Sequence, residues 1–154
     1  MRGRLTRPLG DTGAVVMSLV ASIGFVWLGM VLAISFLETP LKFRAPGVST
    51  RLGLGIGRVV FGAFNRVEVV LALVLIGAVI PGPHRVVTVA AVWSAAAVLA
   101  VQLLLVRPRL NRRSDRVLAG EEDLPRSRAH YAYVALELAK LAALAVAGAS
   151  ALGG

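Results

Sequence analysis

Two runs of polar side chains recur at the same spacing in this 154-residue sequence, and they are the residues best placed to do chemistry. Arg58, Phe61, Asn65 and Glu68 stand at i, i+3, i+7 and i+10, and His130, Tyr133, Glu137 and Lys140 repeat the pattern. At about 100° per residue each set falls within an arc of roughly 80°, a single stripe on a helix. The side chains are of the kinds that handle protons or ions. Carboxylates accept, an ammonium donates, and Asn65 and Tyr133 supply neutral hydrogen bonds. Glu68 and Lys140 each lie about 15 Å along the helix from the start of their stripe. Gln102 falls in the same region from a third segment, and Glu38, Lys42, Arg58 and His130 form the mouth above it.

The elements that carry these residues are membrane spans. Apolar residues make up 57% of the chain, against about 45–50% in soluble domains. The net charge is +9, yet the basic residues gather at the ends of long apolar runs, with only Arg66 and Lys140 well inside one. A bilayer core about 30 Å thick needs roughly 20 helical residues. Residues 14–37 satisfy that without a charge. The uncharged run 69–80 is too short alone, so its helix must reach back to about residue 58, with Ser49 or Thr50 as a possible cap still further back. Residues 86–106 and 129–152 complete an all-α, four-helix transmembrane bundle of two hairpins, a single membrane domain. Alanine-rich residues 129–152 offer Ala142, Val146 and Ser150 as a small-residue seam. The first run follows Arg2, Arg4 and Arg7 as a signal peptide would, but exceeds the ~7–15 residues of such a signal and is read as a retained span.

Orientation follows from the arginines and lysines. Arg2, Arg4, Arg7 and Arg85 lie on one face, whereas Lys42, Arg44, Arg51, Arg58, Arg107, Arg109, Arg112, Arg113, Arg116, Arg126 and Arg128 lie on the other. The positive-inside rule puts the second face, with both long connections, in the cytosol and the termini outside a cell membrane. The N-terminal arginine cluster argues the opposite way.

A charge at a helix centre costs about 2.5–3.5 kcal/mol on insertion scales. The stripes are therefore expected to face each other or to line a wet cavity, with Lys140 paired to Glu68 or Glu137 and Arg58 or Arg66 serving the other carboxylate. Two readings stand side by side: a site for transport or permeation, and a purely structural clamp that fixes helix register. A non-catalytic membrane partner or assembly factor, docking through its basic loop, is the alternative function. A membrane enzyme or lipid-binding protein has less to support it, since no activated nucleophile is visible.

Several chemistries are excluded or unsupported. There is no cysteine, hence no thiolate site. His84 and His130 belong to opposite faces, so neither a bis-histidine haem nor a dedicated metal site is expected, and no cofactor is implied. The glycines at 53, 55 and 57 lack the strand and the Lys-Ser/Thr of a phosphate loop and suit helix packing better. Arginines beside apolar spans point to anionic lipid headgroups rather than nucleic acid. The acidic patch Glu121, Glu122 and Asp123 reads as part of a solvated connector. Four helices leave little room for a pathway, so a homo-oligomer is expected. The arginine-over-lysine bias, with abundant alanine, valine and glycine, suggests a GC-rich bacterial source.

With these residues in place, the chain resembles the transmembrane-protein-205-like group of small four-helix membrane proteins. The likeness rests on the four spans, the Glu38-Thr-Pro-Leu-Lys42-Phe43 segment, the stripe entering the second helix and the basic loop leading into the His130-bearing helix. It implies architecture and no particular chemistry. The small multidrug exporters are similar in length, but their essential glutamate lies within the first helix. Here that helix is uncharged until Glu38, so the same exchange mechanism is not expected.

Overall fold

An apolar segment in lipid has no hydrogen-bond partner but its own backbone, so long apolar runs become helices. The computed structural model describes residues 9–81, 84–120 and 128–153, and over these the chain forms four long helical rods. Rod α1 is Leu9–Val31, prolonged through a π-helical segment, Leu32–Glu38, and a last turn, Thr39–Lys42. Rod α2 is Thr50–Val79, and α4 is Arg128–Leu152. Rod α3 is Val86–Val101, prolonged through a second π segment, Gln102–Val106, and a polar stretch, Arg107–Leu118. All four are long and apolar enough to cross a membrane. Arg2, Arg4, Arg7, Glu121, Glu122, Asp123 and Arg126 lie outside the described residues.

The helices run on past the expected span ends at 37 and 106, because neither Pro40 nor Pro108 stops its helix. A proline inside an α-helix removes a donor and presses its ring on the carbonyl four residues back. In both rods the wider π turn ends two residues before the proline. The Thr39 N–H reaches Ile34 O and the Arg107 N–H reaches Gln102 O, each five residues back. Thr39 Oγ1 donates to the same Ile34 carbonyl at 2.9 Å. The helix thereby continues past a residue that would otherwise kink or end it.

The second rod starts at Thr50, eight residues beyond the minimum its span requires and at the cap the sequence offered. Ser49 is its cap, extended in backbone (φ −69°, ψ 160°), with its hydroxyl accepting from Leu52 N at 3.2 Å. Gly47, at φ +80°, turns the chain into that cap. The two long connections expected from the sequence are thus largely helical. At 1.5 Å per residue the 30 residues of α2 extend about 45 Å, some 15 Å more than a bilayer core. The short turn near Pro81 holds the opposite ends, so the excess projects at the face of the long connections.

The rods form a ring in chain order. Rod α4 makes its broadest contacts with α1 and α3, α2 packs more lightly on both of these, and α2 and α4 stand diagonally across the centre. Val20, Leu75, Val92, Ala95, Leu144 and Ala147 fill the part of the bundle toward the short turn. The outward surface is just as apolar. Val59, Leu73, Ile80, Val86 and Leu104 are all more than 60% exposed, a surface that lipid covers and water would not tolerate. Close approach of α1 and α4 comes at Gly24, where an added Cβ would already touch the Gly148 backbone at 3.9 Å. The seam on α4 is therefore Ala147, Gly148 and Ala151. Of the three seam residues expected from the sequence, only Ser150 turns inward, bonded to Thr88 at 2.9 Å, whereas Ala142 and Val146 face outward.

Candidate functional site

Because α2 and α4 are diagonal, their stripes meet across the centre of the bundle. Phe61 and Tyr133, which hold equivalent stripe positions, touch edge to face with ring centroids 6.1 Å apart. Glu68 and Lys140, likewise equivalent, form an ion pair at 2.5 Å with both side chains buried. Glu68 lies 11 residues from the Val79 end of α2, or roughly 16 Å, which is close to the middle of a 30 Å core. The charged cluster is thus central, and the space above it belongs to the half near the long connections.

The cluster is built from every rod. Lys140 Nζ donates to Glu68 Oε1 and, at 2.9 Å, to Gln102 Oε1 at the start of the π segment of α3. Trp27 of α1 donates its indole N–H to Glu68 Oε1 at 2.9 Å. Glu137 Oε2 lies 3.2 Å from Lys140 Nζ, an ion pair one helical turn apart. The ammonium directs its hydrogen bonds to Glu68 and Gln102, and Glu137 is left with the longer contact to Lys140 and the Tyr133 hydroxyl beside it. Gln102 Nε2 is a buried donor without an acceptor. One cation thus serves two carboxylates, and one of the two is left incompletely satisfied.

Arg107 sits one step toward the long-connection face. The amide orientation of Asn65 that satisfies both groups has its oxygen accepting from Arg107 Nε at 2.7 Å and Nη2 at 2.8 Å. The guanidinium carbon lies 5.3 Å from the centroid of Phe61, and Lys42 Nζ lies 5.5 Å from the same ring. Both distances suit cation–π attraction. Lys42 also pairs with Glu38 at 3.2 Å. Gly57 makes this possible, since a Cβ there would stand 2.9 Å from Lys42 Nζ. Gly53 does the same for the Phe43 ring, so these glycines serve helix packing.

Above the cluster opens a cavity of about 770 Å³. Its walls are the projecting ends of the four rods, with Phe36, Phe43, Leu54, Phe61, Leu110 and Val134 among the apolar lining. Lys42, Arg58, Arg107, Arg113 and His130 bring basic groups to it, and Glu137 lies at its foot. The Glu137 carboxylate is only 1% exposed, so the space narrows sharply there.

The structure brings Asn65, Glu68, Gln102, Tyr133, Glu137 and Lys140 into one contiguous site and places Lys42, Arg58 and His130 on the wall above them. Two expectations are corrected. Arg58 serves neither buried carboxylate but pairs with Asp115 at the exposed rim, because α3 continues far enough to bring Asp115 there. Arg66 points outward and is exposed. Glu38 pairs with Lys42 beside the cavity rather than lining it. Trp27 and Arg107 were missed. The signal for Trp27 was an indole N–H buried deep in an otherwise uncharged span, since membrane tryptophans favour the interfaces. Arg107 looked like a loop residue beside a proline. Among the described residues no group of three His, Asp or Glu is arranged to hold a metal. Comparisons with protein-family models, with curated proteins and with solved structures returned no match, so the geometry alone carries the functional reading.

Proposed function

We propose that this polytopic membrane protein is a small transport or permeation protein that admits its solute to the cavity from the face of the long connections. The observation that carries the proposal is the cavity of about 770 Å³ ending on Glu137, a buried carboxylate that shares the Lys140 ammonium with Glu68 and has Tyr133 beside it. A buried carboxylate that shares its only cation is incompletely neutralised, which is costly, and one at the foot of an open space suits a proton, a co-ion or a donor group on the solute. The Glu68–Lys140–Gln102–Trp27 contacts are the clamp beneath it, holding the bundle shut toward the short turn. A second copy, or a rearrangement of the rods, is needed to complete a route across. By the positive-inside rule the open face is cytosolic and the membrane is the plasma membrane, in keeping with the resemblance to the transmembrane-protein-205-like group.

The absence of cysteine makes the test direct. Val134→Cys places one thiol on the cavity wall, and a water-soluble maleimide should label it from the long-connection face. Reconstituted protein should carry a solute or ion flux that Glu137→Gln changes. An unlabelled thiol, or no flux across a broad solute panel, would overturn the proposal.

A second reading has its own support. Beyond Arg107, the polar end of α3 carries Arg109, Arg112, Arg113 and Arg116, a surface suited to an acidic partner or anionic lipid. An assembly factor would lose a stoichiometric partner when the outer arginines are neutralised, while Val134→Cys labelling stayed unchanged.

A further inference from the structure

We infer that the cavity takes an acidic amphiphile, with its anionic headgroup between Arg107 and Lys42 and its hydrocarbon tail along the apolar wall. This deepens the proposal above and rests on the cavity being open.

Recognition begins at Phe61. Its ring has Arg107 at 5.3 Å and Lys42 at 5.5 Å, so two cations share one aromatic platform on the cavity wall. They differ in how far they are already neutralised. Lys42 has Glu38 at 3.2 Å, and Arg58 has Asp115. Arg107 has no carboxylate within ion-pair distance among the described residues, and its recorded hydrogen bonds go to the neutral amide of Asn65. Those two bonds use Nε and Nη2, which leaves the other terminal nitrogen and its hydrogens for a ligand. A guanidinium is the side chain best matched to a carboxylate or phosphate, through a charge-assisted bond. The Ser35 hydroxyl, buried on the same wall without a partner, is a further donor.

The rest of the cavity selects what is attached to the anion. Phe36, Phe43, Leu54, Leu110, Val117 and Val134 supply no hydrogen bonds from their side chains. A small hydrated anion would lose water against them without return, whereas an alkyl chain gains about 25 cal/mol per Å² buried. An amphiphile with a long tail partitions into the bilayer. The source is therefore the surrounding leaflet rather than the aqueous phase. Glu137 at the foot is negative and stops the headgroup one step above it, at Phe61 and Arg107, with the tail running back along Leu54, Leu110 and Val117 toward the opening.

The test uses four probes, three of them on one tail: hexadecyl phosphate, hexadecanol and hexadecyltrimethylammonium, with inorganic phosphate as the tailless headgroup. The readout is protection of Val134→Cys from maleimide in purified full-length protein in nanodiscs. Hexadecyl phosphate should protect. The neutral and cationic probes should need at least tenfold more, and inorganic phosphate should not protect at accessible concentrations. Arg107→Gln should weaken the phosphate amphiphile by about tenfold to a hundredfold, the range for a hydrogen bond to a charged group. Arg66→Gln, an outward-facing charge neutralised, is the control and should change nothing. Equal protection by all three tails would overturn the inference and leave the cavity proposal standing, as would an Arg107→Gln protein that binds normally. Protection by inorganic phosphate alone would also overturn it, in favour of a water-soluble anion. A thiol that no maleimide reaches would overturn both proposals. Should Arg107→Gln fail to fold, Lys42→Gln is the replacement, with the same selective loss expected.

Discussion

Removing the single cation of the buried cluster tests most directly whether it clamps the bundle. Lys140→Met keeps the length and most of the volume of the side chain but removes the charge. It leaves Glu68 and Glu137, both about 1% exposed, as two carboxylates near the middle of the membrane. Trp27 and Gln102 remain as neutral neighbours. Deleting one partner of a buried ion pair costs about 3–5 kcal/mol, because the other charge stays buried and uncompensated. With two carboxylates bereft, Lys140→Met should reach at least the lower end of that range. Glu68→Gln should cost less. Lys140 keeps Glu137 at 3.2 Å, and the new amide oxygen can still accept from Trp27. The triple change Glu68→Gln, Glu137→Gln, Lys140→Met removes every charge together and should recover most of the loss, as whole buried ion pairs can be replaced at little net cost. Unfolding by denaturing detergent from mixed micelles, followed by helicity, gives the free energies. The reasoning fails if Lys140→Met costs under about 1 kcal/mol, or if the triple variant is no more stable than Lys140→Met alone. Either outcome would show that no electrostatic coupling links the three residues.

Two smaller perturbations separate hydrogen bonding from packing in the same unfolding assay. Trp27→Phe keeps an aromatic ring in the core but removes the donor 2.9 Å from Glu68, and should cost about 1.5–3 kcal/mol if the carboxylate is charged. Gly24→Ala places its Cβ in ordinary contact with the backbone of α4, at 3.8–3.9 Å, and should be tolerated. Gly24→Leu drives further atoms against that backbone, which cannot rotate away, and should cost about 1–3 kcal/mol.

The number and type of the helices were legible because a charge-free run of the necessary length has one solution in lipid. The stripes were legible for a related reason: a polar residue inside an apolar span must find company, and equal spacing on two helices suggests where. What did not show was direction and extent. In the second half of α4 nearly every residue is apolar, so hydrophobicity could not tell the Ala147–Gly148–Ala151 face from the Ala142–Val146 face, and packing shape decided between them. The expected ends at 37 and 106 fell where the charge-free runs stop, and the π turns that carry the helices past Pro40 and Pro108 have no reliable sequence signature. Stopping there hid two further facts. It made Arg107 a loop residue, and it concealed the continuation of α3 that brings Asp115 to Arg58. The partners of Lys140 were narrowed to Glu68 and Glu137, and the structure gives it both.

The two hairpins share one plan: a π turn before a proline on the first helix, and a four-residue polar stripe on the second. Their equivalent positions are chemically complementary rather than alike. Glu68 faces Lys140, Phe61 faces Tyr133, and Asn65 corresponds to Glu137. A pair of identical glutamates at the first of these positions would repel at the midplane, and a pair of identical lysines would do the same. An ion pair there requires the hairpins to differ. The same difference leaves its mark one turn higher. There Asn65 is engaged by Arg107 from α3, while Glu137 gains no corresponding cation and shares Lys140 instead. Closure at the centre and an incompletely neutralised carboxylate at the foot of the cavity are therefore two consequences of one arrangement. A variant that repairs the second, such as Glu137→Gln, should leave the clamp standing while altering what the cavity accepts.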